Sequence, residues 1–366
     1  MINMKPVLDF FIDANIVFLV TFGLWALVQF AISRSAARFD YAAQLRLLRV
    51  VMAVLVLSPL LALGVTLLGQ RFWPETPTTL SDLAVAAYLN GSIALPAMEF
   101  EALLYSRSRL YETLTNGGFL WLPVLSAMLI IGAVIHAAMA IRAALHVRRA
   151  VDASYLWRRT RTTDIRLSDR VTIPFAARGL RRRHVVLPSD ILTRPRDLRL
   201  VLAHEFQHLR QGDVEWELLF EFLRPLLFWN PVFVIWRRSF ERLREFSCDQ
   251  SVLNAGWVSP RAYADCLLRF CERRICAPLP RAVNVAFVRN RSHAARRALE
   301  TRVLALRTSR LRTRAGLILP VLAVMLSVGV VAAATSVRQP ADWSQDRLML
   351  STIVNLERLE AINRGF

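Results

Sequence analysis

The segment VLAHEFQHLRQGD, residues 201–213, holds two histidines four apart with a glutamate directly after the first. On an α-helix, His204 and His208 lie about 40° apart around the axis and one turn apart along it. Both imidazoles can then reach one ion. Glu205 sits about 100° from His204, close enough to take a proton from water activated there without binding the ion itself. This is the HExxH arrangement, in which two Zn2+ ligands and a general base share one helical turn. Chance supplies the pattern about 0.004 times in a chain of this composition, so an accident is a poor account of it. The competing reading is two surface histidines on an amphipathic helix.

A catalytic zinc takes three protein ligands and keeps one place for water. The segment ERLREFSCDQSVL, residues 241–253, offers the third. Glu245 and Asp249 are four apart and share a helical face. A natural division gives Glu245 to the metal and Asp249 to the outer N–H of a ligand histidine, fixing its tautomer. Glu241, on the same face, is the rival ligand. A second oxyanion donor is expected, and Arg183 and His184 are candidates, against the plainer reading of a solvated basic hairpin. The sheet edge near 183–187 is a candidate for holding substrate as an added strand.

These residues need elements to position them. Ile165, Leu167, Val171 and Ile173 alternate, and Val185 to Leu187 make a second apolar run, so 163–188 predicts a hairpin or three-stranded sheet. A helix is predicted from Pro195, with Asp197 in its first turn and Gly212 as its stop. The segment 214–240 is helical with a break at Trp229-Asn230-Pro231. Its uninterrupted apolar part, Pro225 to Trp236, is too short to cross a bilayer, and Glu215, Glu217, Glu221 and Arg224 intrude. Two helices folded back at the break return Glu245 to the HExxH helix. Trp216, Trp229 and Trp236 suit a shallow seat at a membrane boundary.

Of the chain's 366 residues 55% are hydrophobic, and the mean hydropathy is +0.37. That is too apolar for an ordinary soluble protein of this length. Apolar stretches long enough to span occur at about Asn15–Ser33, Val50–Gly69, Phe119–Ile141 and Gly316–Val337. The acidic leading flank of the first, with Asp9 and Asp13, speaks for a retained anchor rather than a signal peptide. Lys+Arg number 47 against 28 Asp+Glu. Arginines cluster after the first and third stretches and are sparse in 70–117, so the positive-inside rule puts 34–49 and 142–313 in the cytoplasm. The N-terminus, the loop 70–117 and the tail then face out. The tail's Trp343, Met349, Ile353, Leu356 and Leu359, at helical spacing, suit docking to a partner, lying on the outer leaflet or a solvated helix. No nucleic-acid reading motif accompanies the arginines, so no direct nucleic-acid partner is expected. Cys248, Cys266, Cys271 and Cys276 lack a CxxC spacing and read as buried or free thiols. His136, inside the third stretch, reads as a satisfied structural histidine, and the basic run around His293 as a solvated flank.

HExxH, the aspartate at 213, the Trp229-Asn230-Pro231 element and the closing Glu245-Phe246-Ser247-Cys248-Asp249 together resemble the BlaR/MecR-type membrane zinc metallopeptidases. The upstream Pro174…Gly179…Val186-Leu187-Pro188 pattern fits the same group, and the likeness covers about 1–340. It implies a gluzincin-like site with His204, His208 and Glu245 as Zn2+ ligands and Glu205 as base, with Asp213 and Asp249 supporting them. It also implies signal relay by cleavage of a cytoplasmic protein, a winged-helix transcription repressor, and of the protease itself. The chain departs from the beta-lactam receptors of the group. About 30 residues follow the last stretch, and with Lys5 the sole lysine no SxxK can occur. Direct covalent sensing of beta-lactams is therefore not expected.

The expected fold is mainly α: four transmembrane helices, with a cytoplasmic α+β zinc metallopeptidase domain between the third and fourth. Its parts are 1–141 (three spans and the external loop), 142–313 (the peptidase domain), 314–337 (the fourth span) and 338–366 (an external tail). The expected place is the bacterial inner membrane, with the lipid bilayer as partner and a homodimer left open. A broad quality-control protease and a receptor with a structural metal site are the rival functions.

Overall fold

In the computed structural model the described residues are 5–72, 80–105, 121–179, 181–276, 300–304, 318–337 and 345–364. Parts of the loop 70–117, Phe119, Gly316, Trp343 and His293 with most of its basic run lie outside them. In chain order the helices are α1 (Lys5–Ser33), α2 (Tyr41–Phe72), α3 (Leu80–Leu89), α4 (Ala97–Leu104) and α5 (Trp121–Asp152). Strands β1 (Tyr155–Arg159), β2 (Thr163–Ser168), β3 (Phe175–Arg178) and β4 (Arg183–Pro188) follow. Then come α6 (Pro195–Gln211), α7 (Asp213–Leu227), α8 (Pro231–Asn254), α9 (Pro260–Cys276), α10 (Ile318–Ser336) and α11 (Gln345–Arg364).

Four of these helices are long and apolar enough to cross a membrane, over Phe11–Ser33, Tyr41–Leu68, Val124–Asp152 and Ile318–Ser336. Hydroxyls along them are satisfied by their own backbone, as a medium without water requires. Thr21 donates to the Val17 carbonyl at 2.6 Å, Ser58 to Leu55 at 2.8 Å and Ser327 to Ala323 at 2.7 Å.

The chain folds as two compact units. One draws on residues 1–31, 49–128 and 320–366. In it α11 packs on α3 and α4, with Leu350 and Val354 buried among Val85, Ala97 and Phe100. The Glu357 carboxylate accepts from the Met98 N–H at 2.9 Å, and Arg358 donates to Glu101 at 2.8 Å. The tail therefore docks within its own chain. The residues that hold it lie one position beyond those read from the sequence, since Met349, Ile353, Leu356 and Leu359 are exposed.

The other unit draws on 32–48 and 129–319. Its sheet has the order β1-β2-β4-β3, with β2 and β4 parallel and the other pairs antiparallel. This is one strand more than the sequence predicts, because β1 precedes the alternating stretch. Strand β4 lies between β2 and β3, so the stretch near 183–187 is no edge. The edge beside it is β3. Ile165, Val185, Leu187, Leu200, Val201, Leu209 and Tyr263 form the core between sheet and helices.

Helix α6 begins with Pro195 and ends on Gly212, whose φ of 70° is left-handed. That conformation suits glycine, and the turn sends the chain into α7. An added Cβ would meet nothing closer than Glu215 Oε2 at 3.7 Å, so backbone strain alone decides. Gly212→Ala is expected to cost about 1 kcal/mol, read as a lowered melting temperature. The chain then reverses at Asn230, whose side chain accepts from the Val232 N–H at 2.9 Å and caps α8, with Pro231 at its first position. The reversal lays α8 against α6. The connection after α1 packs on α8 as well: Gln250 donates to the Phe39 carbonyl at 2.9 Å, and the Tyr41 and Phe246 rings lie 5.0 Å apart.

Candidate metal centre

The Nε2 atoms of His204 and His208 are 3.1 Å apart. Each ring is held from behind. His208 Nδ1 is 2.6 Å from Asp213 Oδ2, and His204 Nδ1 is 2.9 Å from the Tyr263 hydroxyl. That hydroxyl donates to Asp249 at 2.7 Å, so the His204 N–H donates to its oxygen. Both Nδ1 atoms then carry the proton, and both Nε2 lone pairs face one point. Two lone pairs at this distance repel unless a cation or a proton lies between them.

Glu245 completes the set. Its Oε2 is 3.7 Å from His204 Nε2 and its Oε1 is 3.8 Å from His208 Nε2. A tetrahedral ion with bonds of about 2.0–2.1 Å separates its ligand atoms by about 3.3–3.4 Å. These three side chains therefore fit such an ion. Glu241, the rival, instead pairs with Arg237 at 3.1 Å. Cys248 also comes near, with its Sγ, His204 and His208 offering donor atoms within 4.8 Å of one another. Its sulfur, however, meets the Nδ1 side of His204 at 3.4 Å. Burial pushes its thiol well above the ordinary range, and Asp249 and Glu245 add to that. A thiolate ligand is disfavoured there.

Glu205 is buried beside this triangle. Burial, opposed by His208 and reinforced by Glu245, raises its pKa to about 7. In the metal-free protein the folded state thus holds a proton that the unfolded chain releases near 4.5. Stability from this group is full below pH 4.5 and is lost as pH rises to 7, by up to about 3 kcal/mol. Thermal melts of the stripped protein across that window are expected to show this slope. Glu205→Gln is expected to flatten it.

Burial alone would raise the Glu245 carboxyl, but Arg302 and the two imidazoles outweigh it and hold it well below the usual range. Arg302 donates to Glu245 Oε2 at 2.9 Å and clamps Asp249 through Nε at 2.8 Å and Nη2 at 2.7 Å. Asp249 lies 3.5 Å from His204 Nδ1, and the Tyr263 hydroxyl bridges the two, where the sequence suggested direct contact. Sequence reasoning missed Tyr263 and Arg302. Neither belongs to a spaced motif, and Arg302 sits in a basic run that reads as a solvated flank. Asp213→Asn is expected to lower metal affinity about 10–100-fold, measured by chelator competition.

A cavity of about 280 Å3 opens over these groups. Ile173, Phe175, Leu200, Val201 and Phe270 make its apolar wall, with Glu205, Glu245, Tyr263 and Arg302 as its polar one. Arg183 and His184 do not line it. Arg183 donates to the Leu209 carbonyl at 3.1 Å and to Glu215 at 3.1 Å. His184 faces Asp164 at 4.0 Å. Both are engaged elsewhere and neither lines the cavity, so neither is carried forward as an oxyanion donor.

A buried carboxylate beside two imidazoles that converge on one point is the equipment of a metal-dependent hydrolase. Joined to helices of membrane-crossing length, it defines an integral-membrane metallopeptidase. The chain belongs to the M56 peptidases: the family model described as BlaR1 peptidase M56 matches residues 10–306. No curated protein sequence matches it.

Proposed function

We propose that the protein is a zinc endopeptidase that relays a signal by cleaving a cytoplasmic protein, a transcription repressor, and itself. The observation that carries the chemistry is the pair of Nε2 atoms 3.1 Å apart with Glu245 closing the triangle. His204, His208 and Glu245 would hold Zn2+, which when bound supplies a Lewis acid to activate water and polarise the scissile carbonyl. Glu205 takes the proton from the attacking water and passes it to the leaving amine. Asp213, and Tyr263 with Asp249, keep the imidazole lone pairs turned inward. The free edge of β3, with Phe175 and Ala176 on the cavity wall, suits a substrate laid down as an added strand.

The cytoplasmic placement of 142–313 rests on the arginines that flank the apolar helices. Packing of the 36–41 connection on α8 supports it, since two arginine-rich segments then share a side. The domain limits of 142–313 and 314–337 and an inner-membrane location follow the same reading.

The test compares cells that carry the active protein with cells that carry Glu205→Gln. A DNA-binding repressor that stays intact only in the variant supports the proposal. Accumulation of damaged membrane proteins alone would point to quality control instead. An unchanged set of proteins, with no metal in the purified protein, would leave a receptor with a dead site.

A further inference from the structure

The tip of the α7–α8 hairpin is seated on the third apolar helix. The Phe228 ring occupies the space beside Gly132, where an added Cβ would come within 2.3 Å of it. The same ring stacks on His136 with centroids 4.7 Å apart. His136 is itself satisfied, with Nδ1 2.9 Å from the Gly132 carbonyl. Gly132 stands ten positions before Arg142, the first charged residue of α5. At 1.5 Å per residue that is about 15 Å along the axis, half the depth of a hydrocarbon core of about 30 Å. A hairpin that touches α5 there has its tip at the level of lipid tails.

We propose that the hairpin tip, residues 218–235, is immersed in the hydrocarbon of the bilayer beside α5. Its lipid-facing surface is Leu218, Phe222, Leu226, Trp229 and Ile235. Phe222 is 74% exposed, Leu226 61% and Leu218 53%. Their spacing of four places them on one stripe of α7. No charged residue occurs from Pro225 to Trp236. The two charges inside the tip, Glu221 and Arg224, are paired with each other at 3.4 Å, and Arg237 just beyond it also binds Glu221.

The reversal also meets the demand of a waterless medium, that irregular backbone be satisfied internally. The Asn230 N–H donates to the Leu227 carbonyl at 3.0 Å. The Asn230 side chain, buried, accepts from Val232 and Phe233, and Pro231 has no N–H. Trp236 is wholly buried in the protein, so of the three tryptophans weighed as boundary residues it is not one.

The test uses the full chain in phosphatidylcholine vesicles, with its native cysteines replaced and single nitroxide labels at 222 and 226. Labels at Ile130 on α5 and Asp169 in the sheet's loop serve as lipid and water standards. Collision with oxygen and with a water-soluble nickel chelate is measured at each. The expected result is a depth parameter at 222 and 226 of the same sign as at 130 and opposite to 169. Values like those at 169 overturn the proposal, as does protection from both reagents, which would mean a protein covers the stripe. Gly132→Leu, which removes the seat of Phe228, is expected to shift the parameter at 226 toward the water standard. An unchanged value there would show that the seat on α5 does not set the depth.

Discussion

Glu205→Gln is expected to keep the metal and to lose peptide-bond cleavage by about 10²–10⁴-fold. The amide fills the space of the carboxylate but cannot accept a proton from water. In the proposed site Glu205 is not one of the three ligands, so the substitution leaves the ligand set untouched. Its environment sharpens the expectation. Burial already lifts its pKa to about 7, which places it near the operating pH, where a general base is most effective. A bound cation would favour its charged form. The check is metal content by mass spectrometry together with turnover of a cleaved peptide, on purified protein of both kinds. Full turnover in the variant would remove Glu205 from the chemistry. Loss of metal together with turnover would make it a ligand instead.

Stripping the metal is expected to abolish cleavage and to lower the melting temperature, and added Zn2+ is expected to restore both. An ion that binds only the folded state stabilises it by about 4 kcal/mol when present at 1,000 times its dissociation constant. The structure gives a reason for a sizeable effect. Without a metal, two inward lone pairs 3.1 Å apart need a proton between them, and the metal replaces it with stronger bonds. Among the described residues, Arg302 and Arg244 are the arginines paired with the carboxylates Glu245 and Asp249 at this centre, and a bound cation adds to that balance. His208→Ala should copy the stripped state and should not respond to zinc. Activity that survives chelation, with a melting curve unmoved, would end the metal reading. Restoration by zinc in His208→Ala would mean that another residue holds the ion.

The two imidazoles and Glu205 were legible as a group because an α-helix fixes their geometry over a single turn, which spacing alone encodes. The same holds for Glu245 and Asp249 on α8, for the glycine that ends α6 and for the apolar stretches, whose lengths are read directly against bilayer thickness. Contacts between distant segments carry no such local signature. Tyr263 reaches His204 from 59 positions away, and Arg302 reaches Asp249 from 53. Their residue types are unremarkable where they stand, and only the packing of α9 and the helical segment 300–304 against α8 brings them in. Arg183 and His184 show the reverse case. Their types suited an oxyanion role, but Arg183 is taken up by the Leu209 carbonyl and Glu215 and His184 by Asp164.

The chain's letters thus determined by themselves which groups meet within a turn and which stretches can enter lipid, because helical periodicity and apolar length are properties of neighbours. The tertiary structure decided how Glu245 comes opposite the histidines, what orients each ring and that α11 docks within its own chain. Those depend on which surfaces exclude water together, and that is settled only when the whole chain has packed.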